Sequence, residues 1–319
     1  MADLARYAGV SAITVSRALA DSPLVRAETA ERIKALAKEH GYAYNVSARN
    51  LRMRSSRTVA VIIEMRPSHD RRMSDPYPLD LLGGILQELT SAGYCVLLAT
   101  LQGSHLPTVR AADAVVLLGQ GANEDAVNAI ARWNMPMVVW GAEALHKGHV
   151  TVGSNNFRSG VLAAERFGQL HRGRAAFLGD VAHAEVATRL AGFTSALHRR
   201  GLEPLAVTPS SFTVTEGIRA THALLDDEPE VDSIFAASDL LAIGALNALA
   251  ERGRRVPEDV SVIGHDNTPL GATHVPALTS IHQNLHQAGE ILARKALTLV
   301  SGEIVFPESL PTRLVIRAT

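Results

Sequence analysis

Cysteine is almost missing from the 319-residue chain: Cys95 stands alone. That excludes an intramolecular disulfide and a cysteine-based metal cluster, and it fits a reducing compartment. Also missing is any run near the roughly 18 apolar residues of a membrane span. The N-terminus opens on a helical pattern carrying Asp3 and Arg6 rather than on the apolar core of an export signal. A soluble, cytoplasmic protein with no membrane partner is expected. No Gly-x-Ser-x-Gly elbow, phosphate-binding glycine loop, His-Glu-x-x-His or Cys/His cluster occurs, so neither catalysis nor a metal nor a cofactor is expected. The thirteen histidines are scattered, and His282 and His286, four apart, lack a recognisable third ligand.

Net charge is close to absent as well, at −1, yet it is unevenly placed. Of 31 Lys and Arg and 32 Asp and Glu, residues 1–57 hold ten and five, leaving 21 and 27 for the rest. A small basic head on a larger acidic body is the pattern of a separate polyanion-binding module. With 47% hydrophobic and 20% charged residues, the chain is long enough for two or three globular units.

The first 45 residues read as three short helices, with Leu4, Ala5 and Ala8, then Val15 and Leu19, then Ile33, Leu36 and Ala37 on their inner faces. Gly9 sits where a tight turn between helices needs positive φ, Ser11 is placed to cap the second helix, and Gly41 closes the third. Residues 45–57 are polar and basic, with too few apolar side chains to bury a core, and read as a linker. From Thr58 the pattern changes to short strands alternating with amphipathic helices, the clearest strands being 58–64, 94–98, 114–118, 137–140, 175–178, 233–236 and 260–264. Such alternation predicts parallel sheets with crossover helices, and the length allows two.

The head carries the most specific signal. Asp3-Leu4-Ala5-Arg6-Tyr7-Ala8-Gly9-Val10-Ser11-Ala12-Ile13-Thr14-Val15-Ser16-Arg17-Ala18-Leu19, with Gly41-Tyr42 and Ala48-Arg49-Asn50-Leu51 behind it, closely resembles the LacI/GalR family of lactose- and purine-repressor-like transcription regulators. The likeness continues at Arg189 before Gly192-Phe193, at Ala237-Ser238-Asp239, and from Val256-Pro257 to Gly264 before Asp266. It extends to Leu278-Thr279-Ser280-Ile281 and Leu314-Val315-Ile316-Arg317. The resemblance implies a small all-α helix-turn-helix head and an α/β, two-lobed periplasmic-binding-protein-like effector domain with two parallel sheets. It implies a homodimeric, sequence-specific repressor of pseudo-palindromic double-stranded DNA, controlled by a small polar effector, a sugar or sugar derivative. The alternatives are a two-lobed solute-binding protein without a regulatory role, and a corepressor-dependent nucleoside or purine sensor.

Residue chemistry gives the head the same role. A helix starting near Ala12 places Ala12, Ile13, Ser16 and Arg17 on one exposed face. Arg17 suits a guanine edge, Ala12 and Ile13 suit thymine methyls, and Ser11, Thr14 and Ser16 suit phosphates. The resemblance further implies a DNA-contacting hinge helix with Asn45, Ala48 and Arg49, in which Leu51 wedges into the minor groove. Only Met1 and Ala2 precede Asp3, a shorter lead than the resemblance implies, so the first helix is expected to start frayed or the start codon to be set late. No heptad pattern follows Arg317, so a dimer rather than a tetramer is expected.

The expected divisions are 1–44 for the DNA-binding head, 45–57 for hinge and linker, and 58–319 for the effector domain, with one lobe at about 58–153 and 283–302 and the other at 154–282 and 303–319. The resemblance assigns effector contacts to Arg189, Asp239 and Asp266. Carboxylates and a guanidinium converging on a cleft bind vicinal hydroxyls through charge-assisted hydrogen bonds. Asn155 stands where the family carries an acidic residue, and Tyr77, Phe212 and Trp140 are candidate stacking platforms. Against the family spacing, 65–75 is long and reads as a solvated loop with His69, Asp70, Arg71 and Arg72. The stretch 100–113 is about ten residues short, so the second crossover of the first lobe is expected to lack a proper helix.

Overall fold

The computed structural model describes residues 2–19, 22–42, 55–64, 75–121, 124–142, 149–207 and 211–319. The chain divides into two compact units, Met1–Ser56 and Arg57–Thr319. In the first, helices Ala2–Ala8, Ala12–Leu19 and Ala27–Glu39 bury Leu4, Ala5, Ala8, Val15, Ala18, Ile33 and Ala37 in one small core, with Leu19 and Leu36 packed against it. Gly9 turns the chain between the first two helices at φ +63, a conformation most side chains avoid. Arg32 donates to the Ala8 carbonyl at 2.9 Å, which ties the third helix to the end of the first.

In the second unit, β1 (Thr58–Ile63), β2 (Cys95–Thr100), β3 (Ala114–Leu118), β4 (Met137–Trp140), β5 (Val150–Ser154) and β11 (Glu308–Leu310) form one sheet in the order β11-β5-β4-β3-β1-β2. β6 (Ala175–Leu178), β7 (Leu205–Val207), β8 (Ser233–Ala236), β9 (Ser261–Asp266), β10 (Thr279–His282) and β12 (Arg313–Val315) form the other in the order β12-β10-β9-β8-β6-β7. Ala-Val-Val-Leu-Leu of β3 is buried at every position, as a strand covered by helices on both faces must be. All pairings are parallel except β10 with the edge strand β12, which is antiparallel. In each sheet the first strand sits between the second and third, so consecutive crossovers leave in opposite directions and open a crevice beyond the carboxyl ends of the strands. Side chains punctuate the helices between them: Asp75, Asn155, Thr213, Ser238 and Thr268 each accept from a backbone N–H in the first turn.

The lobe boundary near residue 303 needs correction. Glu308–Leu310 pairs with β5, with Glu308 opposite Val152, so 303–310 belongs to the first lobe and the third crossing lies between Leu310 and Arg313. The three crossings are stitched together. Asn155 N–H donates to the Leu310 carbonyl (2.9 Å), and Ser154 Oγ donates to Gln283 Oε1 (2.7 Å). As the spacing predicts, the second crossover holds only a 3-10 turn, Leu101–Gly103, and a four-residue helix, Pro107–Arg110. Thin cover leaves β2 open on its flank, with Leu98 50% exposed.

Three helix pairs meet through glycines on both sides. A Cβ on Gly84 would lie 2.0 Å from the His286 carbonyl oxygen and one on Gly289 2.1 Å from that of Leu81. Gly160 and Gly192 oppose the carbonyls of Arg189 and Phe157, each at 2.0 Å, and Gly217 and Gly244 oppose those of Leu241 and Val214 at 2.5 and 2.3 Å. Backbones this close leave no room for a methyl group.

Candidate functional site

On the head, Ser11, Ala12, Ile13 and Arg17 are exposed, Ser16 and Thr14 are half-buried, and Val15 and Ala18 face the core. Ile13 is 64% exposed, an apolar side chain offered to solvent at a helix start. Ser11 Oγ accepts from the Thr14 N–H (3.1 Å) and shares a hydrogen bond with the Thr14 hydroxyl (2.9 Å), which fixes the helix entry. One exposed face thus carries small side chains and an apolar tip at the helix start and a guanidinium, Arg17, in its last turn. Asn45, Ala48, Arg49 and Leu51 lie outside the described residues, as do His69, Asp70, Arg71 and Arg72.

In the larger unit a cavity lies at the crevice the strand order dictates. Its walls come from the ends of β1 (Ile63, Glu64) and β3 (Leu118, Gly119) on one lobe, and from Ala237, Ser238, Asp266 and Thr268 after β8 and β9 on the other. Tyr77, Asp75, Glu185, His183, Arg189 and Phe212 complete it. A smaller adjoining cavity shares Tyr77, Glu185 and Arg189 and adds Trp140, Ser154, Asn156 and Gln283. Arg189 is 6% exposed; its Nε donates to Asn156 Oδ1 at 2.7 Å and its Nη1 to the Ala237 carbonyl at 2.5 Å. Trp140 Nε1 donates to the Tyr77 hydroxyl, which aligns the two rings at the floor. Phe212 stands edge-to-face with His183, centroids 5.3 Å apart.

Arg189, Asp266, Tyr77 and Phe212 thus converge, with Trp140 beneath them. Two other expected residues do not join them. Asn155 is exposed and caps the helix Asn156–Gln169 by accepting from the Arg158 N–H (2.9 Å); the buried side chain that reaches Arg189 belongs to its neighbour Asn156. Asp239 is fully buried and outside both cavity linings. Its Oδ2 accepts from Thr268 N–H (2.6 Å) and Thr268 Oγ1 (2.9 Å), and its Oδ1 from Ser280 Oγ (2.6 Å). The carboxylate binds β8, β9 and β10 together instead of facing a ligand, and Ser238 rather than Asp239 caps the following helix. His282 ends a strand and contacts Asn267, whereas His286 lies on a helix near Asp80, so the two form no pair. Sequence reasoning missed Glu185, one turn before Arg189 on the same helix, and Asn156; helical spacing from Arg189 was the available signal for the first.

Electrostatics single out the same spot. Burial depresses the Arg189 pKa, and Asp266, Glu185 and Tyr77 oppose that by favouring its charge. Burial raises Asp266 well above the usual carboxylate range, with Asp239 adding to the rise and Arg189 opposing it. Asp266 also holds φ +107, an uncommon backbone conformation that strained functional positions share. Burial pushes Tyr77 up as well, so it remains a neutral phenol. Asp239 is pushed up to about 6 by burial despite its three donors. A carboxyl whose folded pKa exceeds its unfolded one stabilises the fold only while protonated, a contribution present below about pH 4 and lost as pH rises through about 6. Urea midpoints of the wild type relative to Asp239→Asn should therefore fall between pH 4 and 7 by an amount equivalent to about 3 kcal/mol. A pH-independent difference would show that burial does not govern this carboxyl.

Comparison with known proteins agrees with this geometry. The family described as bacterial regulatory proteins, lacI family, matches residues 1–45, and the periplasmic binding protein-like domain matches residues 164–319. The HTH-type transcriptional regulator CelR of Thermobifida fusca is 31% identical over 98% of this chain and 96% of its own length. Among solved structures, a transcriptional regulator CelR–cellobiose complex is 28% identical with a TM-score of 0.73, covering 99% of this chain and 98% of that one. The lac repressor dimer bound to operator and the anti-inducer ONPF is 25% identical with a TM-score of 0.87, covering 99% and 97%. With a helix-turn-helix head and a two-lobed cleft-bearing domain along its length, this chain belongs to the LacI family and is a DNA-binding transcription regulator.

Proposed function

We propose that this protein is a homodimeric cytoplasmic repressor that binds a pseudo-palindromic operator and releases it when a sugar or sugar derivative occupies the cleft between its lobes. It acts by binding and not by catalysis. The observation that carries this reading is the pairing, on one chain, of an exposed recognition face with a cavity whose floor is a buried guanidinium beside carboxylates and aromatic rings. Buried charge set among hydroxyl-binding partners is the chemistry that holds vicinal hydroxyls, and the cellobiose complex of a 28% identical structure supports the sugar class. Among the described residues no helix is long and apolar enough to cross a membrane. Leu51 and its basic neighbours act as the hinge that ligand binding disengages, which couples the two sites.

Selection of duplexes from a random DNA library by the full chain tests the reading. The expected product is an inverted repeat, since a twofold dimer reads two like half-sites. Arg17→Ala should bind the selected duplex about 5- to 150-fold more weakly, by about 1–3 kcal/mol, as read by fluorescence anisotropy. Selected sequences without twofold symmetry, or an unchanged affinity of the variant, would refute the dimeric reading or the assignment of Arg17.

A further inference from the structure

The cleft is rich in acidic side chains. Glu185 and Asp266 both face Arg189 closely enough to favour its charge, and that guanidinium already donates through Nε and Nη1 to Asn156 and Ala237. Asp266 is itself engaged: its Oδ1 accepts from Gln283 Nε2 (2.6 Å) and lies 3.1 Å from His265 Nδ1. Glu185 is different. Its Oε2 is buried without a hydrogen-bond partner, and the residue lines both the crevice cavity and the smaller one adjoining it. A buried carboxylate oxygen lacking a donor costs stability, a cost that a donor from water or from a ligand in the cavity removes.

Ligand charge follows from this arrangement. A carboxylate or phosphate at the floor would find one guanidinium, with two N–H groups committed to the protein, and the acidic side chains of Glu64, Asp75, Glu185 and Asp266 lining the cavity. An anionic group brought beside the Glu185 carboxylate is repelled, whereas a hydroxyl or an ammonium donates to it without that cost. Resting on the sugar-responsive reading above, we propose that Glu185 sets the specificity of the cleft. Its Oε2 accepts an O–H or N–H from the ligand, and its charge excludes acidic and phosphorylated sugars, so the effector is an uncharged or amine-bearing sugar.

The test uses the full chain and matched probes: cellobiose, glucose, glucosamine, glucuronate and glucose 6-phosphate, with the galactose, galactosamine, galacturonate and ribose counterparts and ribose 5-phosphate. Thermal shift finds the binders, because a ligand of the native state raises the melting temperature by mass action, and calorimetry gives their affinities. In the wild type an uncharged or amino sugar should bind, and its acidic or phosphorylated sibling should bind at least ten-fold more weakly. In Glu185→Gln, an isosteric change, that ratio should shrink at least ten-fold and any preference for the amino sugar should vanish. Tighter binding of an acid or phosphate by the wild type, or a ratio that Glu185→Gln leaves unchanged, would overturn the role of Glu185 and leave the sugar reading standing. No shift from any probe would instead overturn the sugar reading on which it rests.

Discussion

Arg189→Ala should abolish the response to ligand: an affinity at least 100-fold lower, worth about 3 kcal/mol, and no ligand-driven release of DNA. Three losses add at one position. The ligand loses a charge-assisted donor, Asn156 Oδ1 and the Ala237 carbonyl lose theirs, and Asp266 is left without the cation that opposes the rise in its pKa. Removing one member of a buried charged cluster typically destabilises by about 3–5 kcal/mol, so the variant should also unfold at lower urea. Arg189→Lys separates the two effects. It restores a positive charge, but a single ammonium cannot reach Asn156 and Ala237 in the same fork geometry. The lysine variant should regain most of the stability and little of the ligand affinity. Calorimetric titration with the tightest-binding sugar and urea unfolding on the same samples decide it; a lysine variant that binds as well as the wild type would show that charge, and not the fork, does the holding.

Gly160→Ala should be among the most damaging small substitutions in the domain. In the interior of a helix this change ordinarily stabilises by about 1 kcal/mol. Here the new methyl would meet the Arg189 carbonyl oxygen at 2.0 Å and the Phe193 amide nitrogen at 2.5 Å, so the helices Asn156–Gln169 and Ala184–His198 must separate. Overpacking of this kind costs about 1–3 kcal/mol, occasionally more, and the contact with backbone on both sides places this site at the upper end. Because the struck atom belongs to Arg189, the cleft should lose ligand affinity along with stability. Gly173→Ala, where a Cβ meets nothing within 4 Å, is the control and should stay within about 0.5 kcal/mol of the wild type. Equal urea midpoints for the two variants would mean that the helix pair has slack to absorb a methyl group.

Local pattern made the regular parts legible. Continuous β-branched runs such as Ala114–Leu118 and Met137–Trp140 declare themselves, because a buried parallel strand needs apolar side chains on both faces. Glu308–Leu310 and Arg313–Val315 are three residues each, too short to carry a period, and only pairing partners more than 150 residues and about 35 residues away define them. The lobe boundary was misplaced for that reason. At the site, a position just after a strand correctly brought Asp266 to the cleft, yet the same rule misled for Asp239. Its partners Thr268 and Ser280 lie 29 and 41 residues further on, and nothing near Asp239 in the chain shows that they claim both oxygens. Asn155 failed by a single residue: the cap and the first helical position point in different directions, and only the latter reaches Arg189. Gly160 and Gly192 were legible as glycines but not as partners, since mutual approach is a property of two helices.

Gln283 gives the cleft a mechanical connection to the lobe crossings. Its amide nitrogen donates to Asp266 in the cavity lining, while its amide oxygen accepts from Ser154 at the first crossing, so one side chain works as a strut between the cleft and the crossings. A ligand hydroxyl that donates to Asp266 competes with that strut for the same oxygen. Occupancy of the cleft by such a group would then reach the lobe crossings through one side chain, Gln283.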